Sequence, residues 1–91
     1  MYSTEILKLV EMLDKAGIPY FVQEIFNGWQ VCYPQKDNPI SDAICHQYSY
    51  GSEQGLLEIM GLCESEDDDV EGYLTAEEVF DRWSKHYFAN I

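Results

Sequence analysis

The run PYFVQEIFNGWQVCYP, residues 19–34, decides how the rest of the chain is read. Two segments rich in aromatic and β-branched residues flank Asn27-Gly28, a dipeptide preferred where both turn residues take positive φ, so the run predicts a type I′ hairpin. Successive strand side chains alternate between faces. Pairing outward from that turn therefore puts Tyr20, Val22, Phe26, Trp29, Val31 and Tyr33 on one face, with Phe21, Ile25 and Cys32 on the other. The first face is almost wholly apolar, and a sheet face of that kind has to be packed beneath another layer.

The segments around the hairpin supply that layer. Upstream, Ser3 or Thr4 can cap a helix and Glu5 suits its positive N-terminal end, while Ile6, Leu9, Val10 and Leu13 recur at helical spacing. Lys15 fits the last turn, and Gly17 followed by Ile18-Pro19 ends the helix, which is expected over roughly 3–16. Downstream, Pro34 and Pro39 around QKDN mark a loop. A third strand is expected in DAICHQYSY (42–50), where Ile44, His46, Tyr48 and Tyr50 alternate with Ala43, Cys45, Gln47 and Ser49.

The turn GSEQG (51–55) follows, and LLEIMGL (56–62) is a strand or a short helix. Gly55 and Gly61 bracket a run too short for a stable helix, which favours a fourth strand. A second helix spans roughly 76–88, with Val79, Phe80, Trp83 and Tyr87 on its apolar stripe and Glu78–Arg82 and Asp81–Lys85 as i,i+4 pairs. The order α-β-β-β-β-α defines an α+β fold: a two-layer domain over residues 1–91, its antiparallel sheet covered on one face by two helices. A chain of 91 residues buries roughly 60–70% of its unfolded surface, enough for one modest core.

Composition narrows the function. Apolar residues make up 46% of the chain and aromatics 14%, which suits a folded domain. The N-terminal run MYSTEILKLVEMLDK carries Glu5, Glu11 and Asp14 among its apolar residues, unlike a signal peptide, and no window approaches the roughly 20 apolar residues of a membrane span. A cytoplasmic protein is expected. The three cysteines, Cys32, Cys45 and Cys63, form no C-x-x-C pair and lie within apolar alternation, where a free Cys behaves as a small hydrophobe. A zinc site built from them with His46 or His86 is the lesser reading, and no cofactor is expected.

Seventeen acidic residues face five basic ones, a formal net charge of −12. Such a chain repels nucleic acid and anionic membranes and favours a basic protein as partner. The charge is concentrated: Glu64, Glu66, Asp67, Asp68, Asp69, Glu71, Glu77, Glu78 and Asp81 precede the next base, Arg82. A solvated solubility patch is the plainer reading of the same run. Catalysis finds little support. Cys45 and His46 are adjacent, so on a strand they point to opposite faces and cannot form a dyad, and no Ser-His-Asp grouping or phosphate loop is present. His46 reads as a packed or edge residue and His86 as a surface residue. The chain is not expected to be an enzyme.

DDDVEGYLTAEE, residues 67–78, fits two readings. Counted as an EF-hand, Asp67, Asp69 and Glu71 take positions 1, 3 and 5, Gly72 the sharp turn, Tyr73 a carbonyl ligand and Glu78 the bidentate position 12. Against this, Glu71 is a methylene too long for position 5, Glu66 replaces the apolar residue that normally ends the entering helix, and no second loop exists to pair with. The alternative needs less: Thr75 and Glu78 form a T-x-x-E capping box, Leu74 and Val79 resemble a hydrophobic staple, and Gly72 supplies the turn.

The runs SYGSEQGLLEIMGL (49–62) and VEGYLTAEEVFDRW (70–83) resemble a pattern in small acidic proteins of phages and integrated mobile elements of Gram-positive bacteria. The resemblance covers the second half of the chain and implies no catalytic residues. In size and acidity the chain is also similar to phage anti-defence proteins, including anti-CRISPR inhibitors that act as DNA mimics. An extended strand rises about 3.3 Å per residue against about 3.4 Å between phosphates of one DNA strand, so a row of carboxylates can occupy a groove built for nucleic acid.

The leading expectation is therefore an acidic protein-binding module that inhibits a nucleic-acid-handling protein. Its partner surface comprises Glu64, Glu66, Asp67, Asp68, Asp69, Glu71, Tyr73, Glu77 and Asp81. The alternatives are a structural domain that self-associates as a homodimer through its aromatic sheet face, and a calcium binder using Asp67, Asp69, Glu71, Tyr73 and Glu78.

Overall fold

A computed structural model describes residues 3–63 and 69–90. Helix α1, Thr4–Ala16, begins where the Ser3 hydroxyl accepts from the Ile6 amide at 3.2 Å and ends at Gly17, whose φ of 72° lets its amide reach back to the last carbonyls. Strands β1 (Phe21–Ile25), β2 (Gly28–Tyr33), β3 (Ser41–Cys45), β4 (Leu57–Met60) and β5 (Val70–Leu74) follow, with a 3₁₀ turn at Ser52–Gln54, and helix α2, Ala76–Ala89, closes the order. Each strand pairs antiparallel with the next, in the order β1-β2-β3-β4-β5. The α+β class and the two flanking helices are as the sequence indicates, and LLEIMGL does contain a strand. The sheet has one strand more than expected, because VEGYL pairs with β4 rather than forming a turn.

The hairpin differs in one respect. Phe26 and Asn27, at φ 45° and 60°, are the two turn residues, and Gly28 is already the first residue of β2, paired with Ile25. Turning one residue earlier shifts both arms together, so the faces of the strands are preserved and only Phe26 leaves the core side. Gly28 is required for a different reason from the one its dipeptide suggests. A Cβ there would collide with the Cys45 carbonyl and the His46 backbone at the end of β3.

The third strand also ends early. After Cys45 the chain turns through 46–51 instead of continuing to Tyr50, held by Ser49 N–H to the His46 carbonyl at 3.0 Å and Gln47 N–H to the Phe26 carbonyl at 3.3 Å. Tyr48 and Tyr50 are thereby carried off the sheet.

One face of the sheet meets both helices. Val31, Tyr33, Ala43, Cys45, Leu57, Ile59 and Leu74 share a single buried cluster with Ile6, Leu9, Leu13, Val79 and Trp83. Trp83 is fully buried, removing on the order of 200 Å² from water, or about 5 kcal/mol of gross burial at about 25 cal/mol/Å². Its indole N–H donates to Ser41 Oγ at 3.0 Å, and that hydroxyl sits 2.8 Å from the carbonyls of Met60 and Gly61. Tyr33 stacks on Trp83 with centroids 5.3 Å apart and shares a 2.7 Å hydrogen bond with His86 Nδ1. His86 is thus half-buried and engaged, not the free surface residue its neighbours Lys85 and Tyr87 suggest.

Two long-range contacts fix α2. Thr75 and Glu78 complete the capping box, with the Thr75 hydroxyl accepting from Glu78 N–H at 3.3 Å and Glu78 Oε1 accepting from Thr75 N–H at 3.0 Å. From α1, Glu5 Oε1 accepts from the Ala76 amide at 2.8 Å, satisfying a first-turn N–H that has no partner within the helix. Arg82 forms a forked pair with Glu71 of β5, both N–O distances being 2.7 Å, in place of the expected pair with Glu78. Asp81 and Lys85 do pair, at 2.9 Å and largely exposed.

Candidate functional site

The acidic surface divides into parts with different duties. Glu64, Glu66, Asp67 and Asp68 lie outside the described residues. Asp69 is exposed immediately before β5, and its backbone carbonyl accepts from Gly61 N–H at 3.3 Å. Glu71 projects from β5 toward α2, paired in register with the buried Ile59, and its charge is committed to Arg82. A bidentate pair of this kind holds the strand against the helix. Glu77 and Asp81 are exposed and four residues apart, so they stand on one stripe of α2. The structure therefore places Asp69 just before β5 and Glu77 and Asp81 on α2, the two elements being joined through Glu71 and Arg82, and it takes Glu71 out of the free set.

The calcium reading meets a specific obstacle in the same stretch. Its turn glycine, Gly72, lies within β5, where a Cβ would come within 2.5 Å of Tyr50 Cβ. The chain from 70 to 74 pairs with β4, with an irregularity at Tyr73, rather than wrapping around a centre. Glu71 is paired with Arg82 and Glu78 closes the capping box. Among the described residues no group of three or more His, Cys, Asp or Glu side chains is arranged to hold a metal ion.

Burial favours the neutral form of two groups, Cys32 and Tyr33. Burial pushes the Cys32 thiol up, the neighbouring Asp42 carboxylate adds to that, and Lys36 opposes it weakly. Burial likewise raises the Tyr33 phenol, reinforced by Tyr87. A thiol with its proton retained is a poor nucleophile. No buried side-chain polar atom among the described residues lacks a partner, and no helix is long and apolar enough to cross a membrane.

Sequence reasoning missed a cluster of aromatic side chains at one end of the sheet. Phe26, at the hairpin tip, packs edge-on to His46 and Tyr48 with centroids 5.3 and 5.5 Å apart, and His46 and Tyr48 are 6.1 Å apart. Tyr48, Tyr50 and Tyr73 are 71%, 64% and 58% exposed. Together with the loop 47–54 these three tyrosines line one cavity of about 260 Å³. The signal was present in SYGSEQG, where Gly51 and Gly55, at φ 97° and 75°, mark a turn beginning right after the tyrosines. The period-2 alternation through Tyr50 was the weaker of the two cues.

Fold and surface together define a small α+β domain with an open five-stranded antiparallel sheet, two helices on one face and an acidic exterior carrying an exposed tyrosine cluster. No protein-family model, curated protein or solved structure matches the chain.

Proposed function

We propose that the protein is a non-enzymatic acidic module that binds a basic protein. Its surface includes Asp69 just before β5 and the exposed stripe of α2, together with Glu64, Glu66, Asp67 and Asp68, which the sequence assigns to it. The observation that carries this reading is the disposition of charge. Of five basic residues, Lys8 pairs with Glu5 at 3.5 Å, Arg82 with Glu71 at 2.7 Å and Lys85 with Asp81 at 2.9 Å, while Lys36 lies 5.5 Å from the Phe21 ring centre. Four of the five basic residues, all but the exposed Lys15, are engaged within the fold. Asp69 and Glu77 are left exposed with no basic partner among the described residues, inside a chain of net charge −12.

A field of this strength steers a basic surface toward the module and disfavours nucleic acid and anionic membranes. The partner class that fits is a protein whose own groove is built for nucleic acid, with the carboxylates standing in for phosphates. The likeness of the second half of the chain to proteins of phages and mobile elements extends this to inhibition of a nucleic-acid-handling defence protein.

The test separates a localised surface from net charge alone. Two variants lose three charges each: Asp67→Asn, Asp68→Asn and Asp69→Asn in one, and Glu11→Gln, Glu24→Gln and Asp37→Asn, all exposed, in the other. Calorimetric titration with a decalysine peptide at low salt is expected to show about tenfold greater loss of affinity for the first than for the second, fading as salt screens the charges. Equal losses, or binding indifferent to salt, reduce the acid to a solubility device.

A further inference from the structure

We propose that the tyrosine-lined cavity at the end of the sheet receives an arginine side chain of the basic partner. The inference rests on the reading above and names a second, separate element of the same recognition.

Several features build the cavity. Tyr48 is set by edge-on packing against Phe26 and His46, and its amide donates to His46 Nδ1 at 3.1 Å. Tyr50 is fixed from behind, because its amide donates to Glu58 Oε1 at 2.8 Å, its carbonyl accepts from Tyr73 N–H at 3.4 Å, and its Cβ lies over Gly72. Tyr73 occupies the irregular part of β5, where the register with β4 shifts by a residue, and its φ is 60°. A non-glycine residue held there costs about 1 kcal/mol or more, and Phe26 is held likewise at φ 45°. Exposed aromatic rings kept on strained backbone positions gain nothing for the core. Strain of this kind concentrates at sites of recognition.

The lining selects the ligand. Its volume, about 260 Å³, is below the roughly 300–1,000 Å³ of pockets for drug-sized ligands, and suits the head of one side chain. Tyr48, Tyr50 and Tyr73 are exposed at a cavity whose wall is largely polar, and the face of an exposed phenol ring attracts a cation. Glu53, exposed in the 3₁₀ turn that forms one wall, adds a carboxylate, and the chain's overall charge raises the local concentration of cations further. A planar guanidinium stacks on tyrosine while donating to a carboxylate in its own plane. A compact ammonium has no planar face to stack, which favours arginine over lysine.

The experiment compares decaarginine and decalysine peptides of equal charge by calorimetry at one fixed salt concentration. Wild-type protein is expected to bind the arginine peptide about threefold more tightly. In Tyr73→Gly, which removes a ring while relieving the backbone, and in Tyr48→Ala, on an exposed turn, that ratio is expected to fall to about one, and Tyr48→Phe is expected to retain it. An equal affinity of the wild type for both peptides, or a ratio unchanged in the two ring-deleted variants, overturns the arginine site and leaves the acidic module standing. Failure of the wild type to bind either peptide overturns both.

Discussion

The hydrogen atom that serves as the side chain of residue 28 sets how closely β3 approaches the hairpin. An ordinary hairpin glycine supplies positive φ, but here Phe26 and Asn27 take the positive values and Gly28 is extended. The two roles make opposite demands on substitution. Asn tolerates positive φ well, so Gly28→Asn would be mild at a turn position. At a position packed against the Cys45 carbonyl any Cβ collides. Gly28→Asn and Gly28→Ala are both expected to cost about 3 kcal/mol, whereas Asn27→Gly is expected to change stability by less than about 1 kcal/mol, all read from urea unfolding midpoints. A mild Gly28→Asn contradicts the close approach. The hairpin itself was legible from its flanking aromatic and β-branched residues. The position of its turn was not, because the collision that requires Gly28 comes from residues 45 and 46, beyond any local pattern.

At the level of elements, the helices were legible in detail and the last strand was not. Ser3, Gly17, Thr75 and Glu78 act on residues three or four positions away, so their roles can be read from spacing alone. β5 is held by pairing with β4 and by Arg82 gripping Glu71, and its own letters, with Gly72 in the middle and carboxylates before it, mimic a turn. The same acidic spacing that imitates a calcium loop is spent on three structural tasks: a strand, an ion pair and a cap. Loss of the cap is the simplest to measure. Thr75→Ala is expected to destabilise the fold by about 1 kcal/mol, and Thr75→Ser to restore most of it, since either hydroxyl accepts from the Glu78 amide. Thermal unfolding of the three proteins at one pH checks this. Equal stability of all three means that Glu5, reaching Ala76 from α1, caps α2 unaided.

Over the whole molecule, the fold segregates its interactions. Apolar residues of five strands and two helices close a core on one face of the sheet, and the Trp83–Ser41 and Tyr33–His86 contacts satisfy the polar groups within it. The exterior carries the surplus of carboxylates. The net charge was readable by counting. Which carboxylates are free was not: Glu5, Glu58, Glu71 and Glu78 are bound within the fold, while Asp69 and Glu77 stay open to a partner. The exposed tyrosines came to light only when the chain turned away from the sheet at His46. The most direct test of the acidic partner surface is amide chemical-shift mapping of isotope-labelled protein during titration with a decalysine peptide at low salt. The expected result is a set of shifts centred on Asp69, Glu77 and Asp81 and their neighbours, with Glu11 and Glu24 nearly unmoved. Shifts spread evenly over every exposed carboxylate, or centred on α1, contradict a dedicated surface.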